Sequence, residues 1–221
     1  MPIGVTLLGI LTVLILFGVM QRILDRMRLT DKQALFIVIS IIAFSFLEDI
    51  PITNTISFSI AGALIPLALC VYLFISAGTA KERWRAVGAT LLSALAVILI
   101  SRLLPAEPEA MPFDPYYIYG PVAGIIAYLM GRSRRSAFIA GITGVLLADT
   151  LIFVYYRITG IPSVLRLGSS GAFDAVVISG LLAVLMAELI GEAREKIAGG
   201  KTKNDLAFEG GKFVERNGGE H

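Results

Sequence analysis

Asp149 lies thirteen residues into an apolar run that starts at Ser136, about 20 Å along a helix, between Gly144-Val145-Leu146-Leu147-Ala148 and Thr150-Leu151-Ile152. Asp174 stands about one turn into the next apolar run, in Gly171-Ala172-Phe173-Asp174-Ala175, and Glu48 and Asp49 close an earlier one. A carboxylate in hydrocarbon costs about 2.5 to 3.5 kcal/mol on insertion scales, so each position requires a partner or a task. Acids facing a cavity could bind a cation or exchange a proton, because burial raises the pKa of a carboxyl group. Asp149 and Asp174 could instead share a proton and activate water as a pair. A third role is structural: pairing with Arg102, Arg157 or Arg166, or capping the last apolar helix through Asp174. The first role makes Asp49, Asp149 and Asp174 the substrate- or ion-binding residues of a carrier.

Other chemistry is excluded early. One Cys, Cys70, and one His, His221, leave no disulfide framework, no Cys/His zinc site, no His-ligated haem and no Ser-His or Cys-His nucleophile. The apolar runs contain no Lys for a retinal Schiff base. Phosphate-loop, dinucleotide and nucleic-acid motifs are missing. No cofactor is expected, and the partners expected are the bilayer and a small solute, proton or cation.

The elements that hold these acids follow from composition. The chain has 221 residues, 56% hydrophobic and 16% charged, against roughly a quarter charged in a soluble domain. This reads as an all-α, polytopic membrane protein. Runs at Ile3 to Met20, Ala34 to Leu47, Ser57 to Ala77, Ala86 to Leu104, Tyr116 to Met130, Ser136 to Tyr156 and Gly171 to Ile190 give seven transmembrane helices. The second is short, about 21 Å at 1.5 Å per residue, and must thin the bilayer or lean on its neighbours. Segments after the first, third, fifth and seventh runs hold 16 of the 19 Lys and Arg residues. The positive-inside rule therefore puts the amino terminus outside and the carboxyl terminus in the cytoplasm of a plasma-membrane protein. The first run has no basic residue before it and a cluster from Arg22 to Lys32 after it, which reads as a retained anchor and not a cleaved signal. Tyrosines 116, 117, 119, 155 and 156 gather at the expected outer ends as an aromatic belt.

Residues 1–190 thus form the transmembrane domain and 191–221 a flexible, charged cytoplasmic tail without apolar periodicity. The stretch from Arg28 to Arg83 parallels that from Arg135 to Arg194. Each has bases, a helix ending near an acid, an outer loop with Ile-Pro (Ile50-Pro51; Ile161-Pro162), a small-residue segment and a mixed-charge turn. With the first and fifth runs these make two parallel three-helix units joined by a connector helix, a plan used by small carriers with the site between units. Gly62, Gly141 and Gly144 read as close-packing positions, and Pro66 as a kink that frees a carbonyl. Gly131-Arg132-Ser133-Arg134-Arg135 fixes topology, with headgroup binding as its other use.

Six blocks carry a family resemblance: Gln21-Arg22-Ile23-Leu24-Asp25-Arg26, Ala61-Gly62-Ala63-Leu64-Ile65-Pro66-Leu67, Asp114-Pro115-Tyr116, Gly131-Arg132-Ser133-Arg134-Arg135, Val145-Leu146-Leu147-Ala148-Asp149 and Gly171-Ala172-Phe173-Asp174-Ala175. In combination they resemble the prokaryotic membrane-protein family known as domain of unknown function 1614, up to about Glu195. The resemblance implies an integral plasma-membrane protein and assigns no activity. Against intramembrane aspartyl proteases the fit is partial: Gly171-Ala172-Phe173-Asp174 departs from Gly-x-Gly-Asp, and the Tyr expected before the first Asp is missing. The resulting expectation is a small secondary carrier. A non-enzymatic scaffold or assembly factor and a diaspartyl protease are the alternatives.

Overall fold

A computed structural model describes residues 31–103, 116–131, 133–169, 175–197, 206–209 and 212–215. The expected first span, Ile3 to Met20, lies outside them. The elements are α1 (Asp31–Phe44), β1 (Ile50–Thr53), β2 (Ile56–Phe58), a π-helical turn (Ile60–Leu64) running into α2 (Ile65–Ile75), α3 (Ala80–Leu103), α4 (Tyr116–Gly131), α5 (Arg134–Ile158), β3 (Leu165–Leu167), α6 (Ala175–Ile197), β4 (Leu206–Glu209) and β5 (Lys212–Glu215). By contacts the chain divides into two compact units, Met1–Glu188 and Leu189–His221.

The first unit is mostly helical, and α3 and α5 are long and apolar enough to cross a membrane. Side-chain caps start both helices. The Thr79 hydroxyl accepts from the Glu82 N–H at 3.3 Å, in a Thr-x-x-Glu pattern, and Ser133 accepts from the Ser136 N–H at 3.1 Å. Contacts along α3 and α5 show that they run parallel. Glu82 meets Ser133 and Ser136, Thr90 and Thr143 share a 2.8 Å hydrogen bond, and Ser93 lies against Gly144. Antiparallel to both, α4 touches α3 where the Ser93 hydroxyl donates to the Ala123 carbonyl.

Small residues make these approaches close. A Cβ on Gly144 would stand 2.6 Å from Ser93 Cβ, and one on Gly141 would stand 2.9 Å from the Ser179 carbonyl oxygen, so the packing role expected of both glycines holds. Buried positions are dominated by Ala, Val, Ser and Gly, while large apolar side chains such as Phe36, Leu91, Leu99 and Leu103 are exposed.

Both α3 and α5 begin at one end of the unit, where α2 terminates in a polar latch. Arg83 donates to the carbonyls of Ile75 at 3.1 Å and Ala77 at 3.3 Å, and Arg135 donates to that of Ser76 at 3.3 Å. These cations satisfy carbonyls that a helix terminus leaves unbonded. Glu82 binds the latch together, accepting from Ser133 at 3.1 Å and lying 3.7 Å from the Arg135 guanidinium, with both side chains largely covered. Glu82→Gln is therefore expected to cost about 1.5 to 3 kcal/mol, the range for a hydrogen bond to a charged group, readable as a lowered unfolding temperature in detergent.

At the opposite end the all-α expectation needs correcting. The third expected helix does not start at Ser57: Ile56–Phe58 is strand β2, antiparallel to β1 and parallel to β3. β-Branched and aromatic residues here suit a pleated surface better than a helix. The helix begins only after Ser59, whose hydroxyl accepts from the Gly62 N–H. Its first turn is π-helical, with the N–H groups of Leu64 and Ile65 bonding five residues back to Ser59 and Ile60. Pro66, which has no N–H, follows at the start of α2. In the second unit, β4 and β5 form an antiparallel ladder from Leu206↔Glu215 to Glu209↔Lys212. Gly210-Gly211 between two short alternating runs is a hairpin signal that a purely compositional reading of the tail misses.

Candidate functional site

The most buried of the membrane-length helices is α5, which touches α2, α3, α4 and β3. Its flanking glycines and alanines allow that central place. Asp149 is half-buried on this helix, nine residues before its end at Ile158, about 13 Å by helical rise. It is held by a hydrogen bond or an electrostatic contact. One turn earlier Leu146 is buried, and two residues on Leu151 is 45% exposed, so the carboxylate lies at the margin between covered and open faces of α5.

Asp49 is half-buried in the loop between α1 and β1. Asp174 lies outside the described residues and precedes Ala175, the fully buried first residue of α6. In the chain, β1 starts immediately after Asp49, and β3 ends seven residues before Asp174. Among the described residues, no three His, Cys, Asp or Glu side chains gather closely enough to hold a metal ion.

Arg102 places its guanidinium 4.4 Å from the Tyr155 ring centroid, a cation–π contact that ties the end of α3 to α5. Arg157 and Arg166 are exposed.

Where the strands meet the helices, backbone packs on backbone. Parallel register pairs Ile56 with Leu165, Ser57 with Arg166 and Phe58 with Leu167, and the Ser59 N–H donates to the Leu167 carbonyl at 2.9 Å. Directly beyond, Gly62 touches Gly168: a Cβ on Gly62 would fall 2.2 Å from the Gly168 carbonyl oxygen. Gly168 also has φ +71°, a conformation that side chains disfavour. This crossing was not legible in the sequence. Gly168 follows a three-residue strand too short to give a period, and its partner lies a hundred residues away.

These elements fall within one matched region. The family described as protein of unknown function (DUF1614) matches residues 14–186, more than three quarters of the chain. The chain belongs to the DUF1614 family. No curated protein and no solved structure matches it. The DUF1614 region includes Asp49, Asp149 and Asp174, and it ends two residues before the boundary at Glu188 between the compact units.

Proposed function

We propose that this DUF1614 protein is a multi-pass plasma-membrane carrier in which Asp149 couples solute movement to a proton or cation. Seven spans, an outer amino terminus and a cytoplasmic carboxyl terminus belong to the proposal. The observation that carries it is Asp149 itself, a half-buried carboxylate well inside a helix of membrane length. An ionisable group there is retained for a task or a partner, and a position at the margin of the covered face gives it access to both.

Two further observations support the membrane part. Small residues inside and large apolar residues outside suit packing in lipid, where water does not drive leucines inward. Lys81, Arg83, Arg85, Arg134 and Arg135 all belong to the helix starts at one end, as the cytoplasmic side requires. The β2–β3 register supports the two-unit plan: it agrees to within two residues with the correspondence that aligns Ile50-Pro51 with Ile161-Pro162. Corresponding loops of the two units would then be hydrogen-bonded to each other through β2 and β3.

Purified protein in liposomes loaded with a pH-sensitive dye tests the proposal under imposed proton, Na+ and K+ gradients. Wild type is expected to move protons in response to at least one gradient, and Asp149→Asn to slow that movement at least tenfold. An equally active Asp149→Asn protein, or wild-type vesicles no leakier than empty ones under every gradient, would overturn it.

A further inference from the structure

Consecutive helices α2 and α3 both lean on α5 and leave a groove of about 370 Å³ between them. This is within the roughly 300 to 1,000 Å³ of small-molecule sites. Its walls are Leu67, Val71 and Phe74 of α2, Val87 and Leu91 of α3, and Ile139 and Leu147 of α5, with Cys70 and the Thr90–Thr143 hydrogen bond among the lining groups. The two hydroxyl protons are shared between that bond and the carbonyls of Ala86 and Ile139, one turn back in each helix, so no donor is left over and the lining behaves as apolar. From Ile139 to Leu147 the groove runs about 12 Å by helical rise, close to the ~15 Å depth of one leaflet. Its rims are open: Val71 is 52% and Leu91 57% exposed.

The end of the groove is charged. Arg83 is four residues before Val87 and seven before Thr90, so it continues the groove-facing stripe of α3 by one turn. Its guanidinium reaches over to the last carbonyls of α2, which lays a cation across the mouth. Arg135 stands one turn before Ile139 at the same end, and Lys81, Arg85 and Arg134 belong to the same two helix starts, together with Glu82.

We propose that this groove is a binding site for one anionic phospholipid, with an acyl chain between α2 and α3 and the phosphate at Arg83. The inference rests on the membrane reading and is independent of any role for Asp149. An acyl chain fits an open, leaflet-length apolar slot, and a net-positive mouth selects an anionic head over a zwitterionic one.

Native mass spectrometry of the full chain tests this, with phosphatidylglycerol and phosphatidylcholine of identical chains added to delipidated protein in detergent. Wild type is expected to hold one tight lipid and to prefer phosphatidylglycerol at least fivefold. Val87→Trp and Leu91→Trp, which fill the slot at different depths, should each lose that lipid, whereas Leu95→Trp, outside the lining, should keep it. Arg83→Gln should retain a lipid with the headgroup preference reduced to below twofold. Tight binding undiminished in the folded slot-filling variants, equal affinity of wild type for the two lipids, or no tight lipid on wild type would overturn the proposal. A protein that stays monodisperse without detergent would sink the membrane reading instead.

Discussion

Gly168→Ala is expected to destabilise the protein by about 3 kcal/mol or more. Two costs add at this position. A side chain in the left-handed region costs roughly 1 to 2 kcal/mol, and a methyl forced into packed atoms costs about 1 to 3 kcal/mol more. The obstacle here is backbone, since a Cβ would come within 2.4 Å of the Gly62 carbonyl carbon, and backbone cannot rotate aside. Gly160 separates the two effects. It has φ +74° with nothing within 4 Å of its Cβ position, so Gly160→Ala should show the conformational cost alone, about 1 to 2 kcal/mol. Thermal unfolding in detergent, followed by circular dichroism, should rank wild type above Gly160→Ala and Gly160→Ala well above Gly168→Ala. Equal losses for the two variants would mean that the segments following β2 and β3 do not meet at Gly62 and Gly168.

Gly141→Leu is the second large effect. Its Cβ would lie 2.9 Å from the Ser179 carbonyl oxygen and 3.2 Å from the Gly180 nitrogen, so α5 and α6 must part before the rest of the side chain is placed. Parting also breaks the 2.7 Å hydrogen bond from the Ser179 hydroxyl to the Gly141 carbonyl, leaving a fully buried hydroxyl with its Val176 bond alone. Overpacking of this size is expected to cost about 3 kcal/mol, seen as lost folded, monodisperse protein. The same replacement at Gly88, where nothing lies within 4 Å, should be tolerated or stabilise α3 by up to about 1 kcal/mol through helix propensity. Comparable yields of both variants would contradict the close α5–α6 contact.

The contrast between these glycines shows what the sequence carries. Gly141 and Gly144 lie in a long apolar run whose period identifies a helix, and small residues inside such a run signal a close approach. The helical runs at 34–47, 86–104, 116–130 and 136–156 are visible for the same reason, since many residues repeat one signal. Strands β1, β2 and β3 are three or four residues long, too short for alternation to emerge, and their pairing joins loops far apart in the chain. The third run shows the result: its apolar residues continue through Ser57 and Phe58, so hydropathy alone extends the helix over a strand. Glu82 was legible as a charge in a mixed turn, while the Thr79-x-x-Glu82 cap is a short signal that a reading by apolar runs passes over. The second task of Glu82, holding Ser133 and Arg135 of another helix, depends on tertiary packing. The acids divide similarly. Burial of Asp149 follows from its run, but the neighbours of Asp49 are set by a sheet that hydropathy does not reveal.

The central claim is that Asp149 is a carboxylate within the membrane yet within reach of water, and cysteine accessibility tests it most directly. Cys70 is buried and can be replaced by Ser to give a thiol-free background. Asp149→Cys and Leu151→Cys are then exposed in sealed vesicles to a membrane-impermeant thiosulfonate reagent. Asp149→Cys is expected to react, and Leu151→Cys, two residues away on the exposed apolar face, to resist. An inert Asp149→Cys would contradict a water-reachable site, and equal labelling of both positions would place this stretch of α5 outside the hydrocarbon.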